Sequence, residues 1–232
     1  MKAVILAGGK GTRLRPLTYA IPKPLFPLNK KPIIERIILH LKEYGIDEFI
    51  ITIGYLGYQI RNYLGDGSKL GVSIEYEEEK EALGTAGCLY NLKDKLKKEK
   101  SFIVIGGDNF TNINMHTFIE FHKAKKAIVT IALIEMSIPV DLGVVKLDET
   151  NLIKKYEEKP NFKYLGGTLI FCLSPEVLDY IKKGDDFAKN IFPKLINEEK
   201  KIYGFVFEDL WIDIGKLEEY EKAHRFAEKN LS

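Results

Sequence analysis

Only two cysteines occur in the 232 residues, Cys88 and Cys172, both in apolar surroundings and neither in a CxxC pair. That scarcity argues against a thiol redox centre or a cysteine-bound zinc, and both side chains read as packed thiols. The four histidines show no metal-ligand spacing. No stretch approaches the roughly 18 apolar residues of a membrane span. The apolar run Met1 to Leu6 is too short for a signal peptide. No membrane partner is expected, and the cytoplasm is the expected compartment. A charge excess is missing as well: 35 Lys and Arg face 33 acids, a net charge of +2. The densest basic stretch, Lys93 to Lys100, is interleaved with acids in the manner of a solvated helix end. Binding along a phosphate backbone needs a continuous cationic track, so nucleic acid is not an expected partner. Internal repeats, low-complexity linkers and a hexapeptide β-helix extension are all absent.

What is present is an alternation of short apolar runs with amphipathic segments, the pattern of βαβ units in a largely parallel sheet. Lys2–Leu6, Glu48–Ile53, Val72–Tyr76 and Phe102–Ile105 read as strands. Ile33, Ile34, Ile37, Ile38 and Leu41 recur at helical spacing and Gly45 supplies the stop, which predicts a helix between the first two strands. Further helices are expected at Gly84–Lys97 and Met115–Lys123. After Ile128–Ile134 the rhythm changes. Gly143–Leu147, Leu152–Glu157 and Leu165–Phe171 are strand-like with short connections, which predicts antiparallel or mixed pairing. Helices then resume at Pro175–Lys182, Phe187–Asn197 and Lys216–Lys229. A chain of this length buries about 70% or more of its unfolded surface in one core, so a single α/β domain over residues 1–232 is expected.

The first strand runs directly into Leu6-Ala7-Gly8-Gly9-Lys10-Gly11-Thr12-Arg13-Leu14-Arg15-Pro16-Leu17-Thr18. Glycines after a parallel strand let backbone N–H groups approach a phosphate with no side chain in the way; a tight turn is the plainer reading. The loop fits neither common phosphate motif, since GxGxxG fails at Leu14 and GK[ST] is missing. A dinucleotide-dependent oxidoreductase is disfavoured on that ground. Pro22-Lys23-Pro24 fixes the backbone on both sides of a lysine. After a glycine loop it reads as a second phosphate ligand, and taken alone as a surface turn.

These blocks together resemble the sugar-1-phosphate nucleotidyltransferases, or NDP-sugar pyrophosphorylases. The similarity continues through Glu81-Ala82-Leu83-Gly84-Thr85-Ala86-Gly87, Gly107-Asp108-Asn109, Gly143-Val144-Val145, Glu158-Lys159-Pro160 and Trp211-Ile212-Asp213-Ile214-Gly215, in the family's order. The resemblance implies a modified doubly wound, Rossmann-like mixed sheet flanked by helices, of the nucleotide-diphospho-sugar transferase type. Residues 1–135 would mainly bind the nucleotide and residues 136–232 mainly the sugar phosphate. The implied reaction is transfer of a nucleotidyl group from a nucleoside triphosphate to a hexose 1-phosphate, with Mg²⁺ as cofactor and pyrophosphate released. Arg13 would bind the triphosphate and stabilise the leaving pyrophosphate, with Lys23 also at the phosphates. Leu6, Ala7, Gly8, Gly9, Gly11, Thr12, Gly84, Thr85 and Asp108 would surround the nucleotide. Gly143, Glu158, Lys159 and Gly167 would meet the sugar phosphate, and Asp108 and Asp213 would hold the metal.

The signals for the particular substrates conflict. Leu165 stands where guanylyltransferases of mannose 1-phosphate usually carry Asn, two residues before the glycine matched by Gly167, and Gly106-Gly107-Asp108 replaces their N-S-D; both features look like thymidylyltransferases. Leu83-Gly84-Thr85-Ala86-Gly87 instead resembles the guanylyl and heptose-guanylyl type. Glu79 and Glu81, just before Gly84, can accept the two adjacent donors of guanine, and solvated surface charges are the other reading of both. GTP with mannose 1-phosphate is the favoured pair. Glucose-1-phosphate thymidylyl or uridylyl transfer is the alternative, and a silent nucleotide-sugar-binding subunit is a remoter one. A homo-oligomer is left open.

Overall fold

The computed structural model describes residues 1–79, 81 and 83–230. Its strands are β1 (Lys2–Ala7), β2 (Pro27–Leu28), β3 (Lys31–Pro32), β4 (Glu48–Ile53), β5 (Ser73–Glu78), β6 (Phe102–Gly106), β7 (Asn109–Thr111), β8 (Val129–Pro139), β9 (Val144–Leu147), β10 (Ile153–Glu157), β11 (Asn161–Leu173), β12 (Ile202–Val206) and β13 (Trp211–Asp213). The α-helices are α1 (Ile33–Glu43), α2 (Gly57–Leu64), α3 (Gly84–Gly87), α4 (Lys93–Leu96), α5 (Met115–Lys125), α6 (Phe192–Asn197) and α7 (Leu217–Asn230).

Seven strands form one mixed sheet in the order β12-β8-β11-β6-β1-β4-β5. Six run parallel and β11 alone is reversed, pairing antiparallel with both β6 and β8. The central strands are apolar without alternation because both faces of the sheet are covered. Ile5, Ile103 and Ile105 face a core closed by α1, α2, α5 and α7. Val4, Phe102 and Val104 face a second core closed by the segments around Leu89, Val177 and Ile191. In α1 the five predicted apolar positions are all buried, and the chain leaves the helix at Tyr44 and Gly45.

Two expected helices are broken into shorter pieces, and a third is not α-helical. The segment predicted as one helix over Gly84–Lys97 consists of α3, a 3₁₀ stretch Cys88–Leu92 and α4. Its start is pinned from outside, since the N–H groups of Ala86 and Gly87 both donate to the Asp185 carbonyl. At Phe187–Asn197, Pro193 has no N–H to continue a ladder, and a π turn over Phe187–Ile191 precedes α6. Pro175–Tyr180 is 3₁₀ rather than α. Strands β8 and β11 run past their predicted ends, and their outer halves are exposed although they carry Met136, Ile138, Phe162 and Tyr164. There they carry the antiparallel hairpin β9–β10 between them.

Candidate functional site

Where β1 ends, the chain turns through the glycine loop, which three hydrogen bonds tie in place, two of them from beyond the ends of β6 and β4. Gly107 N–H donates to the Leu6 carbonyl at 2.9 Å, Tyr55 N–H to the Gly8 carbonyl at 3.4 Å, and Thr18 Oγ1 to the Gly11 carbonyl at 3.0 Å. The loop therefore sits at the carboxyl ends of β1, β4 and β6. The chain continues from β1 to β4 on one side and returns to β6 on the other, and open α/β sheets bind ligands in the crevice outside such a switch point.

A cleft of about 340 Å³ opens there, lined by Leu6, Gly8, Gly9, Thr52, Glu79, Leu83, Gly84, Thr85 and Asp108. Gly84 has φ +76°, and a Cβ on it would lie 2.4 Å from the Asp185 carbonyl oxygen, so a side chain is excluded at this wall. The Thr85 hydroxyl is committed to the same wall: it donates to Asp186 Oδ2 at 2.8 Å and accepts from Phe187 N–H at 3.0 Å. The Glu79 carboxylate lies over the α-carbon of Gly8, and burial pushes its pKa up. Glu81 is exposed and ion-paired with Lys183 at 2.6 Å. Ala82, between them and Gly84, lies outside the described residues.

Beside the cleft, Lys23 Nζ is ion-paired with Asp108 Oδ2, both side chains being mostly buried. A notch of about 90 Å³ lined by Ala7, Gly9, Gly11, Lys23 and Asp108 joins this pair to the loop. Asp213 on β13 stands opposite Asn109 on β7, and Ile214 N–H donates to the Asp108 carbonyl at 3.1 Å. Burial, and then the neighbouring Asp108 charge, raises the pKa of Asp213, while Lys23 and Arg13 pull it down. The Arg13 guanidinium rests against Gly215. Arg13 and Asp213 share a further cleft of about 550 Å³ with Trp211 and with Glu135–Ser137 of β8. Thus Arg13 and Lys23 from the stretch after β1, with the sequence-distant Asp108 and Asp213, form one electrostatic group at the glycine loop. Thr12 is exposed on the 3₁₀ turn Thr12–Leu14 and lines none of these clefts.

The four residues expected at a sugar phosphate stand apart. Gly143 adjoins β9 under the Tyr156 phenol, which donates to Glu158 Oε2 at 3.0 Å. Lys159 is exposed with φ +44°, and Gly167 lies exposed on β11 opposite Leu133. None of them lines the clefts above. Sequence reasoning missed Asp186 and the Lys23–Asp108 pairing, and gave Trp211 no role beyond its place in the Trp211–Gly215 block; each of these contacts spans about 85 residues or more of chain.

A glycine loop at a switch point with two acidic and two basic side chains beside it is an arrangement whose chemistry suits a phosphorylated ligand. The sequence model described as "Nucleotidyl transferase" matches residues 2–230, and the chain belongs to that family. Among curated relatives, the UTP–glucose-1-phosphate uridylyltransferase of Synechocystis sp. is 35% identical over 97% of this chain and 63% of its own length. Mannose-1-phosphate guanylyltransferase 1 of Arabidopsis thaliana is 38% identical over 95% of this chain and 63% of its length. The chain thus spans just under two thirds of these relatives. Among solved structures, HddC from Yersinia pseudotuberculosis superposes with a TM-score of 0.78 at 27% identity, covering 97% of this chain and 98% of that one. A putative glucose-1-phosphate thymidylyltransferase from Bacillus anthracis gives 0.80 at 26% identity, covering 100% and 96%. The mixed sheet flanked by helices is accordingly the nucleotide-diphospho-sugar transferase fold.

Proposed function

We propose that this chain transfers a nucleotidyl group from a nucleoside triphosphate to a hexose 1-phosphate in a Mg²⁺-dependent reaction that releases pyrophosphate. The observation that carries the proposal is the grouping of Arg13, Lys23, Asp108 and Asp213 at the glycine loop. In the reaction an oxygen of the sugar phosphate forms a bond to the α-phosphorus as the bond to the β-phosphate oxygen breaks, and the electron pair leaves with pyrophosphate. Two anions must meet and charge must build on the leaving group, so fixed cations are what the protein has to supply. Arg13 and Lys23 fill that role. A phosphate already ionised at neutral pH needs no general base.

The carboxylates fit a magnesium ion. Asp213 has a raised pKa beside a second carboxylate, the state that a shared cation relieves. Among the described residues no cluster of three His, Cys, Asp or Glu forms around them, and Mg²⁺ usually takes one or two carboxylates, with phosphate oxygens and water completing its octahedron. Bound there, the ion would neutralise phosphate charge and fix the reacting geometry.

Glu79 supports GTP as the donor. It faces the cleft over the glycine loop, and its carboxylate can accept both guanine N1–H and N2–H, whereas the uracil and thymine edges alternate acceptor and donor. HddC has been solved with GMP-PN, and guanylyltransferases of mannose 1-phosphate are among the relatives. Mannose 1-phosphate is the acceptor favoured with it. The uridylyltransferase relative supports glucose 1-phosphate with UTP as the second reading. Pyrophosphate release across a panel of nucleoside triphosphates and sugar 1-phosphates decides between them. No turnover with any pair refutes the activity, and preference for UTP or dTTP over GTP refutes the guanylyl assignment.

A further inference from the structure

Asn109 is buried, 1% exposed, and lies between the two strand ends that bear the carboxylates. Its Nδ2 donates to Asp108 Oδ1 at 3.0 Å, and its Oδ1 accepts from Trp211 Nε1 at 2.8 Å. An indole N–H can only donate, so the amide oxygen must face Trp211 and the amide N–H₂ must face Asp108. The chain of bonds therefore has one direction only. Trp211 lies two residues before Asp213 on β13, and Asp213 is itself the register partner of Asn109. The link thus runs from one carboxylate, through a side-chain amide, to the strand that presents the other.

We propose that Asn109 is the positioning residue of the metal site, holding Asp108 Oδ1 so that Oδ2 stays turned toward the cleft and clamping the Asp213 strand at a fixed distance through Trp211. The inference rests on the proposed Mg²⁺ role of the two aspartates. In the structure Asp108 Oδ2 is occupied by Lys23 and Oδ1 by Asn109. When a phosphate draws Lys23 away, Oδ2 becomes free while the Asn109 bond keeps the carboxylate from rotating. The space enforces the arrangement: a Cβ on Gly106 would stand 2.5 Å from Asn109 Nδ2 and 2.8 Å from Asp108 Oδ1, so any side chain there would displace both ends of the bond. Partners of metal ligands of this kind orient the ligand, and losing one typically costs about 10- to 100-fold in metal affinity or activity.

The test is metal binding rather than turnover alone. Mn²⁺ standing in for Mg²⁺ is titrated by electron paramagnetic resonance, with the nonhydrolysable analogue of whichever triphosphate the substrate panel selects. The wild type is compared with Asn109→Leu, Trp211→Phe and Asp108→Asn, and each variant is also melted. Asn109→Leu keeps the heavy-atom count and branching of the side chain, is somewhat bulkier, and removes both hydrogen bonds; its Mn²⁺ affinity is expected to fall about tenfold, with kcat reduced and KM for sugar phosphate unchanged. Trp211→Phe removes the indole donor while keeping an aromatic ring against the core, and is expected to weaken Mn²⁺ by a smaller factor with a modest fall in melting temperature. Wild-type Mn²⁺ affinity in a folded Asn109→Leu variant overturns the positioning role. Should Asn109→Leu not fold, unchanged affinity in Trp211→Phe overturns it instead. If Asp108→Asn binds Mn²⁺ as the wild type does, the metal site itself falls and this inference falls with it.

Discussion

Lys23 and Asp108, 85 positions apart, meet as an ion pair at the mouth of the glycine loop. The lysine expected to await phosphate is thus already neutralising a carboxylate. Lys23→Met should slow turnover on the order of 10² or more, because a charge-stabilising group is lost. It should also lower the melting temperature in chelator, since Asp108 and Asp213 then face each other with one cation fewer; added Mg²⁺ should restore much of that loss. Calorimetry with and without Mg²⁺ checks this, and equal melting of wild type and variant in chelator would show that the pair does not stabilise the fold.

Asp213 predicts an unusual pH response. Its folded pKa lies above that of the unfolded chain, so the folded state holds the proton more tightly; its contribution to stability is present below the ordinary carboxylate range and is lost as pH rises through the raised value. At neutral pH without metal, Asp213→Asn should therefore melt higher than the wild type, by roughly 2–4 °C for each kcal/mol relieved. The same variant should lose activity steeply, with partial recovery at excess Mg²⁺ by mass action. A lower melting temperature for Asp213→Asn in chelator would contradict the raised pKa.

Glu79 and Glu81 give a paired test of base recognition. Glu79→Gln should raise KM for GTP about tenfold, the scale of one lost charged hydrogen bond, without loss of stability, because the half-buried carboxylate is replaced by a neutral amide. Glu81→Gln breaks only a surface pair with Lys183 and should change neither. Because burial raises the Glu79 pKa, its proton returns at a higher pH than that of an exposed glutamate. KM for GTP should accordingly climb as pH falls through that window in the wild type and stay flat in Glu79→Gln.

For Lys159 the expected result is near-complete loss of activity in Lys159→Ala with normal melting. The side chain is exposed and contributes no packing, and alanine meets the same left-handed backbone cost at φ +44°. Steady-state kinetics across sugar-phosphate concentration provide the check. Retention of more than about half the activity at every concentration would remove Lys159 from the acceptor site.

The parts legible in the sequence were those written locally. The apolar runs of β1, β4 and β6 and the period of α1 mark the sheet and its main helix, and the glycines after β1 mark the loop. The short strands β7 and β13 pair only with each other, and nothing local to either segment names the other as its partner, although together they bring Asp213 to Asp108. Nothing near Lys23 announces Asp108, and nothing near Thr85 announces Asp186. Contacts of that span depend on which strands become neighbours, and β1 beside β6 is a property of the whole sheet order.

The reversed strand β11 has a consequence for how the molecule opens. Its inner half, with that of β8, is buried in the sheet, while the outer halves leave it as a two-stranded ribbon that carries the β9–β10 hairpin, with Leu147, Leu152, Ile153 and Tyr156 exposed. A two-stranded ribbon alone is only marginally stable in water, so its amide protons should exchange with solvent through local openings far cheaper than global unfolding, while those of Ile170–Leu173 wait for the whole sheet to come apart. Gly143, Glu158 and Lys159 ride on this loosely held part, and the glycine loop is built into the slow-exchanging one. The arm can thus shift or vary in sequence at small thermodynamic cost to the rest of the protein.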